Sequence, residues 1–180
     1  MIVDAVLPLL LEHGRGVTSR QIAEAAGVAE GTIFRAFGDK DSLLKAAVSR
    51  YLDPQPLLSE LAAIDPELPL DDKIRLILGA LRHRFDGVFR VMSSLREEDR
   101  PAPVSMREDI AELVAVVLGP DQKRLGWSAA QVAQLARLIA FASSFPLLTA
   151  GSEFTEDELT RLVLYGIAGS NTPIEDPHAR

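Results

Sequence analysis

The sequence predicts an all-α fold: a tight cluster of short helices followed by a larger helical bundle. Two observations predict it. Apolar residues recur every three to four positions almost throughout, and the period-two alternation of β-branched residues that marks strands is missing. Gly and Pro fall between these stretches and punctuate them. Helices are expected at roughly 2–13, 19–26, 30–37, 40–52, 71–96, 104–118, 128–149 and 155–168, with a short helical turn around Leu57–Ile64.

The first helix carries Ile2, Ala5 and Leu9 on one face and is ended by Gly14. Pro8 inside it is expected to kink the helix or delay its start. Thr18 followed by Gln21 forms a capping box, so the next helix starts at Ser19. Ile22, Ala23 and Ala26 form its buried stripe, Gly27 supplies the left-handed residue that ends it, and Val28 plugs the corner. The third helix begins near Glu30 and buries Ile33 and Phe37, which leaves Phe34 facing outward. Asp39 caps the helix that opens at Lys40. Helices of eight residues do not persist alone, so these must pack on one another. Pro54, Pro56, Pro66 and Pro69 crowd the next connection, after which the helices are long enough to form a bundle. The stretch 170–180 has two prolines and mostly polar residues. The resulting division is 1–48, 49–170 and a flexible tail at 171–180.

Composition removes several function classes. The 180 residues include no cysteine, so disulfides, thiolate nucleophiles and cysteine-held metals are excluded. The longest apolar runs, such as Leu138–Ala142, are far too short to span a membrane, and no signal-peptide pattern opens the chain. A cytoplasmic location is expected. Only His13, His83 and His178 are available as imidazoles, with no phosphate-cradling Gly-rich loop and no HExxH pattern. The acidic pairs Asp71-Asp72 and Glu97-Glu98 lie beside expected helix ends, where the dipole or solvent explains them. No enzyme activity, cofactor or metal site is expected.

Net charge is −7, yet unevenly spread. Residues 1–52 hold six Lys/Arg and six Asp/Glu and sum to zero, so the remainder carries the whole excess. A neutral N-terminal part on an acidic body is compatible with DNA binding through one small face.

Residues 18–44 read TSRQIAEAAGVAEGTIFRAFGDKDSLL: a helix, a short Gly-containing turn and a second helix, which is a helix-turn-helix. The run Ile22, Ala23, Ala26, Gly27, Val28, then Gly31-Thr32-Ile33-Phe34, Phe37, Lys40 and Leu43-Leu44, resembles the DNA-binding domain of the TetR family of transcriptional regulators. The resemblance covers residues 2–48, and the rest matches in length and helical content only. It implies a three-helix DNA-binding domain followed by a helical ligand-binding and dimerisation bundle. It also implies a dimeric repressor released from a palindromic double-stranded DNA operator by a small-molecule effector.

The DNA contacts so implied are Thr18, Arg20, Ala29, Gly31, Thr32, Phe34, Arg35 and Lys40. Gly31 lets the reading helix approach the major groove, Thr32 meets a phosphate or a thymine methyl, and Arg35 reaches a phosphate or a guanine. Thr18 and Lys40, each at a helix start, are expected to clamp phosphates on either side. Several positions depart from the family pattern. Ala29 stands where a capping Ser is common, Glu30 where Lys is common, Phe34 where Tyr is usual and Ala36 where Tyr or His is usual. The basic N-terminal arm frequent in the family is not within this sequence, as expected of a chain truncated there. Weak electrostatic affinity and a distinct operator are expected, and a helical protein-interaction module that no longer binds DNA is the alternative.

On 128–149, Ala133, Ala136, Ala140, Ser143 and Leu147 form a stripe of mostly small residues, and Leu159, Leu162, Val163, Gly166 and Ile167 form a second apolar face. Spacing alone fits intramolecular core and a homodimer interface equally, and the resemblance implies the dimer. Leu81, Phe85, Val88, Phe89 and Met92, joined by Met106, Trp127, Phe141 and Phe145, fit either plain core or the wall of a pocket for an apolar or aromatic compound. Arg82 and His83 are its candidate polar anchors, although exposed surface suits them better.

Overall fold

A computed structural model describes residues 2–97, 100–102, 105–149 and 154–168. The helices are α1 (Ile2–His13), α2 (Ser19–Ala26), α3 (Glu30–Phe37), α4 (Lys40–Tyr51), α5 (Gln55–Ala62), α6 (Leu70–Ser94), α7 (Arg107–Leu118), α8 (Ala129–Ser144), α9 (Pro146–Thr149) and α10 (Glu156–Ala168). Short 3-10 turns follow α1 and α7, and no strand occurs among the described residues. The fold is all-α, a helix-turn-helix unit followed by a helical bundle. The tail expected at 171–180 lies outside the described residues.

Two compact units divide the chain, and neither is contiguous in sequence. The first gathers Met1–Gln55 with Asp86–Val104. Its core is built from Val6 and Leu10 of α1, Val17, Ile22 of α2, Ile33 of α3, and Leu43, Leu44, Ala47 and Val48 of α4. Val91, near the end of α6, and Leu95, just past it, complete that core. The second unit gathers Pro56–Phe85 with Ser105–Arg180. Leu61, Ile74, Ile77, Leu81, Ile110, Val114, Leu118, Val132, Ala136 and Val163 form the centre of its core.

Three expectations need correction. The helix expected at 128–149 stops at Ser144, because Phe145 takes an extended conformation (φ −91°, ψ 111°) ahead of Pro146. The proline ring disfavours helical backbone in the residue before it. Helix α1 runs from Ile2 through the exposed Pro8 to His13, so the delayed start that Pro8 could have imposed does not occur. Neither stripe faces wholly outward: Ala133, Ala136 and Ala140 of the first and Leu159 and Val163 of the second are buried within the single chain. Side chains that already pack the bundle's interior are not available to a second chain. Ser143 is half-buried and bonds its own helix at the Ala140 carbonyl, whereas Leu147 and Leu162 are exposed. Gly166 lies near the end of α10.

One feature of the bundle had no signal in the pattern of apolar residues. Lys73 is 1% exposed, and its Nζ donates to Asp121 Oδ2 at 2.8 Å, while Arg124 holds the other carboxylate oxygen at 2.8 Å. These hydrogen bonds, Lys73's first, keep the Asp121 carboxyl below its ordinary range.

Candidate nucleic-acid interface

Three helix starts and the turn between α2 and α3 build the site. Thr18 caps α2: the Gln21 amide donates to Thr18 Oγ1 (3.2 Å), and Gln21 Oε1 accepts from the Thr18 amide (2.8 Å) and hydroxyl (2.9 Å). Helix α2 ends on Gly27 at φ 67°, ψ 32°. The Gly27 amide donates to the Glu24 carbonyl and the Val28 amide to the Ala23 carbonyl, so the closing carbonyls of the helix are satisfied. Only Val28 and Ala29 then separate Gly27 from α3. Ala29 adopts the extended geometry of a cap (φ −72°, ψ 143°) but offers no side-chain acceptor.

On α3, Ile33 is fully buried and Phe37 half-buried, and together they seat the helix on the core of the N-terminal unit. The opposite face is open. Gly31 has nothing within 4 Å of where a Cβ would stand, Thr32 is half-buried, and Arg35 and Ala36 are exposed. Phe34 is 47% exposed, so the ring is not a core residue. Arg35 has no ion-paired partner among the described residues. Arg20, by contrast, is bound to Glu24 one turn on, at 3.0 Å.

Asp39 caps α4 by accepting from the Ser42 amide at 2.7 Å, and that hydrogen bond holds its carboxyl below the ordinary range. Lys40 makes a contact that sequence spacing does not predict. Its Nζ donates to the Val17 carbonyl at 3.1 Å, which ties the start of α4 to the residue just before the Thr18 cap. Thr18 and the Lys40 ammonium are thereby brought together. Sequence spacing gives no access to that contact, which joins positions 23 residues apart.

The aromatic set expected to line a pocket is only partly brought together. Phe85 meets Phe141 edge to face at 5.5 Å, and Phe141 stacks on Phe145 at 6.2 Å. Beside them the buried Ser144 hydroxyl donates to the Arg82 carbonyl at 3.4 Å. Met106 packs on the bundle core. Trp127 precedes α8, and at about 1.5 Å per residue its place is roughly 20 Å along the helix from Phe141. Its carbonyl accepts from Gln122 Nε2 instead. Phe89 and Met92 belong to the N-terminal unit. Arg82 is half-buried and His83 exposed. Among the described residues no group of three or more His, Asp or Glu side chains is placed to hold a metal ion, and no helix is long and apolar enough to cross a membrane.

Residues 2–47 match the family model of bacterial regulatory proteins, tetR family. An uncharacterised HTH-type transcriptional regulator of Bacillus subtilis, YvkB, is 36% identical over 86 residues, which is 47% of this chain and 46% of that protein. The match thus spans about half the length of that relative. Among solved structures, a TetR transcriptional regulator from Streptomyces coelicolor superposes over 92% of this chain and 95% of its own, with a TM-score of 0.59 at 21% identity. A transcriptional regulator from Rhodococcus sp. Rha1 gives 0.57 at 17% identity over 93% and 96%. The regulator FadR from Bacillus subtilis, solved with stearoyl-CoA, gives 0.54 at 18% identity over 93% and 96%. These likenesses establish a shared fold. Together with the helix-turn-helix, the family match makes residues 2–47 similar to the tetR family of bacterial regulatory proteins.

Proposed function

We propose that this protein is a dimeric repressor that reads an approximately palindromic operator through α3 and leaves it when a small apolar ligand binds. The open face of α3 carries the reading. Gly31 leaves room for close approach, while Thr32, Phe34 and Arg35 are offered to base edges and phosphates. Ala29 contributes backbone only, and Thr18 and Lys40 bear on the phosphates along one shared edge, with Arg20 beside them. In this reading residues 1–48 carry DNA contact, residues 49–170 carry ligand and partner, 171–180 is a tail, and the protein works in the cytoplasm.

The dimer forms through the outer faces of α8 and α10. Leu138 (56% exposed) and Phe141 (45%) line one, and Leu162 (55%) and Tyr165 (72%) line the other, so that burial in a second copy removes them from water. Two-fold symmetry then sets the reading helices about 34–36 Å apart. The effector lies against Phe85, Phe141 and Phe145, and stearoyl-CoA in the FadR structure supports an apolar compound. The test is selection of bound sequences from random double-stranded DNA by the full chain, followed by release with candidate compounds. Enrichment of an inverted repeat supports the reading. Failure to enrich any sequence, with the protein folded, would instead favour a helical protein-interaction module.

A further inference from the structure

Helix α6 contains two glycines, Gly79 and Gly87, at interior positions where glycine weakens a helix. Neither has a positive φ, so backbone conformation does not call for them. Gly79 faces open space. Gly87 does not: a methyl group there would fall on the Tyr51 hydroxyl and stand 3.0 Å from Cζ of the ring. The missing side chain of Gly87 is the seat of Tyr51.

The two partners occupy telling places. Gly87 and Val91 lie four residues apart on one face of α6, and Val91 and Leu95, the residue just past the helix, are buried in the core of the N-terminal unit. Tyr51 is the last residue of α4, whose first residue, Lys40, is bonded to the segment before the Thr18 cap. Helix α4 also packs on α1 and α3. We propose that Tyr51 seated on Gly87 is a positioning contact for DNA reading. It fixes how α4 lies along α6, and α4 in turn places Lys40 and seats the reading helix. This rests on the DNA-binding reading above. Neither residue touches DNA in this scheme.

The test uses the full chain and the DNA that the wild type selects. Overpacking by one methyl group in a filled site should weaken binding roughly tenfold or more in Gly87→Ala. Removing the obstructing oxygen leaves only Cζ at 3.0 Å, which a ring shift of a few tenths of an ångström accommodates, so Gly87→Ala with Tyr51→Phe should recover most of the loss relative to Tyr51→Phe alone. A loss that did not arise from the Tyr51 contact would not be rescued in this way, and binding measured at full folding, checked by circular dichroism, separates positioning from lost stability. If Gly87→Ala does not fold, Tyr51→Ala takes its place: it should weaken operator binding, and adding Gly87→Ala to it should bring no further loss. Amide exchange in α2–α4 gives a reading without DNA, faster in Gly87→Ala and restored by Tyr51→Phe. Wild-type affinity in Gly87→Ala, or no rescue in the double variant, overturns the proposal. If the wild type selects no DNA but the exchange pattern appears, the contact stands and the DNA-binding reading is what fails.

Discussion

Substitution of Ala29 by serine tests whether the reading helix is under-capped. Two of the first unit's helices have a side-chain cap onto their third amide: Thr18 on Gln21 at 3.2 Å and Asp39 on Ser42 at 2.7 Å. Helix α3 has eight residues, and Ala29 already holds cap geometry without an acceptor. At the corresponding position the Thr32 amide already donates to the Ala29 carbonyl at 2.8 Å, so a serine hydroxyl there would share that donor. Alanine-to-serine exchange is then worth about 0.5 kcal/mol, the low end for a cap. Thr32 is not Glu or Gln, so no reciprocal bond forms. For a chain of this size the melting temperature should rise by about 1–2 °C. In the proposed reading, the same hydroxyl, at the end of the helix offered to DNA, should tighten operator binding. Being neutral, it releases no further counterion, so the slope of log affinity against log salt should not change. Urea and thermal unfolding followed by circular dichroism, with operator titrations at several salt concentrations, give both readings. An unchanged or lowered melting temperature would refute the capping argument, and a steeper salt slope would refute the account of the contact.

Other outcomes follow from the same geometry. Asp121→Ala leaves the Lys73 ammonium buried without its partner and should cost about 3–5 kcal/mol, read by urea unfolding, whereas replacing both residues by apolar ones should cost far less. Because hydrogen bonds hold the Asp121 carboxyl below its unfolded value, its contribution is full above that value and is lost as pH falls through the lower folded one. The wild type should therefore lose stability in acid below about pH 4, with a shallower decline in the variant. Arg35→Ala should relax sequence preference at one or two operator positions, whereas Lys40→Ala should weaken all sequences alike and reduce the salt slope by about one. Leu138→Arg with Leu162→Arg should yield monomers in sedimentation with little loss of helix content, since both side chains are exposed in the single chain.

Much of the N-terminal unit is legible in sequence because its signals are local. A capping box needs residues three apart, a left-handed helix end needs glycine, and a buried stripe repeats within a turn. Thr18 with Gln21, Gly27, Asp39 and the inward Ile33 each follow from neighbours within about one turn of helix. Local patterning also says that Ala133, Ala136 and Ala140 share a face of α8. It does not say what that face meets, since own core and second chain ask for the same periodicity. Tertiary packing decided it: the alanines were taken inside and Leu138 and Phe141 were left out. The contacts between Lys40 and Val17, Lys73 and Asp121, and Tyr51 and Gly87 likewise join distant parts of the chain. Propensity and periodicity encode what a segment does with its own backbone. Which faces meet depends on how all the segments fill one volume, and no single stretch of sequence holds that information.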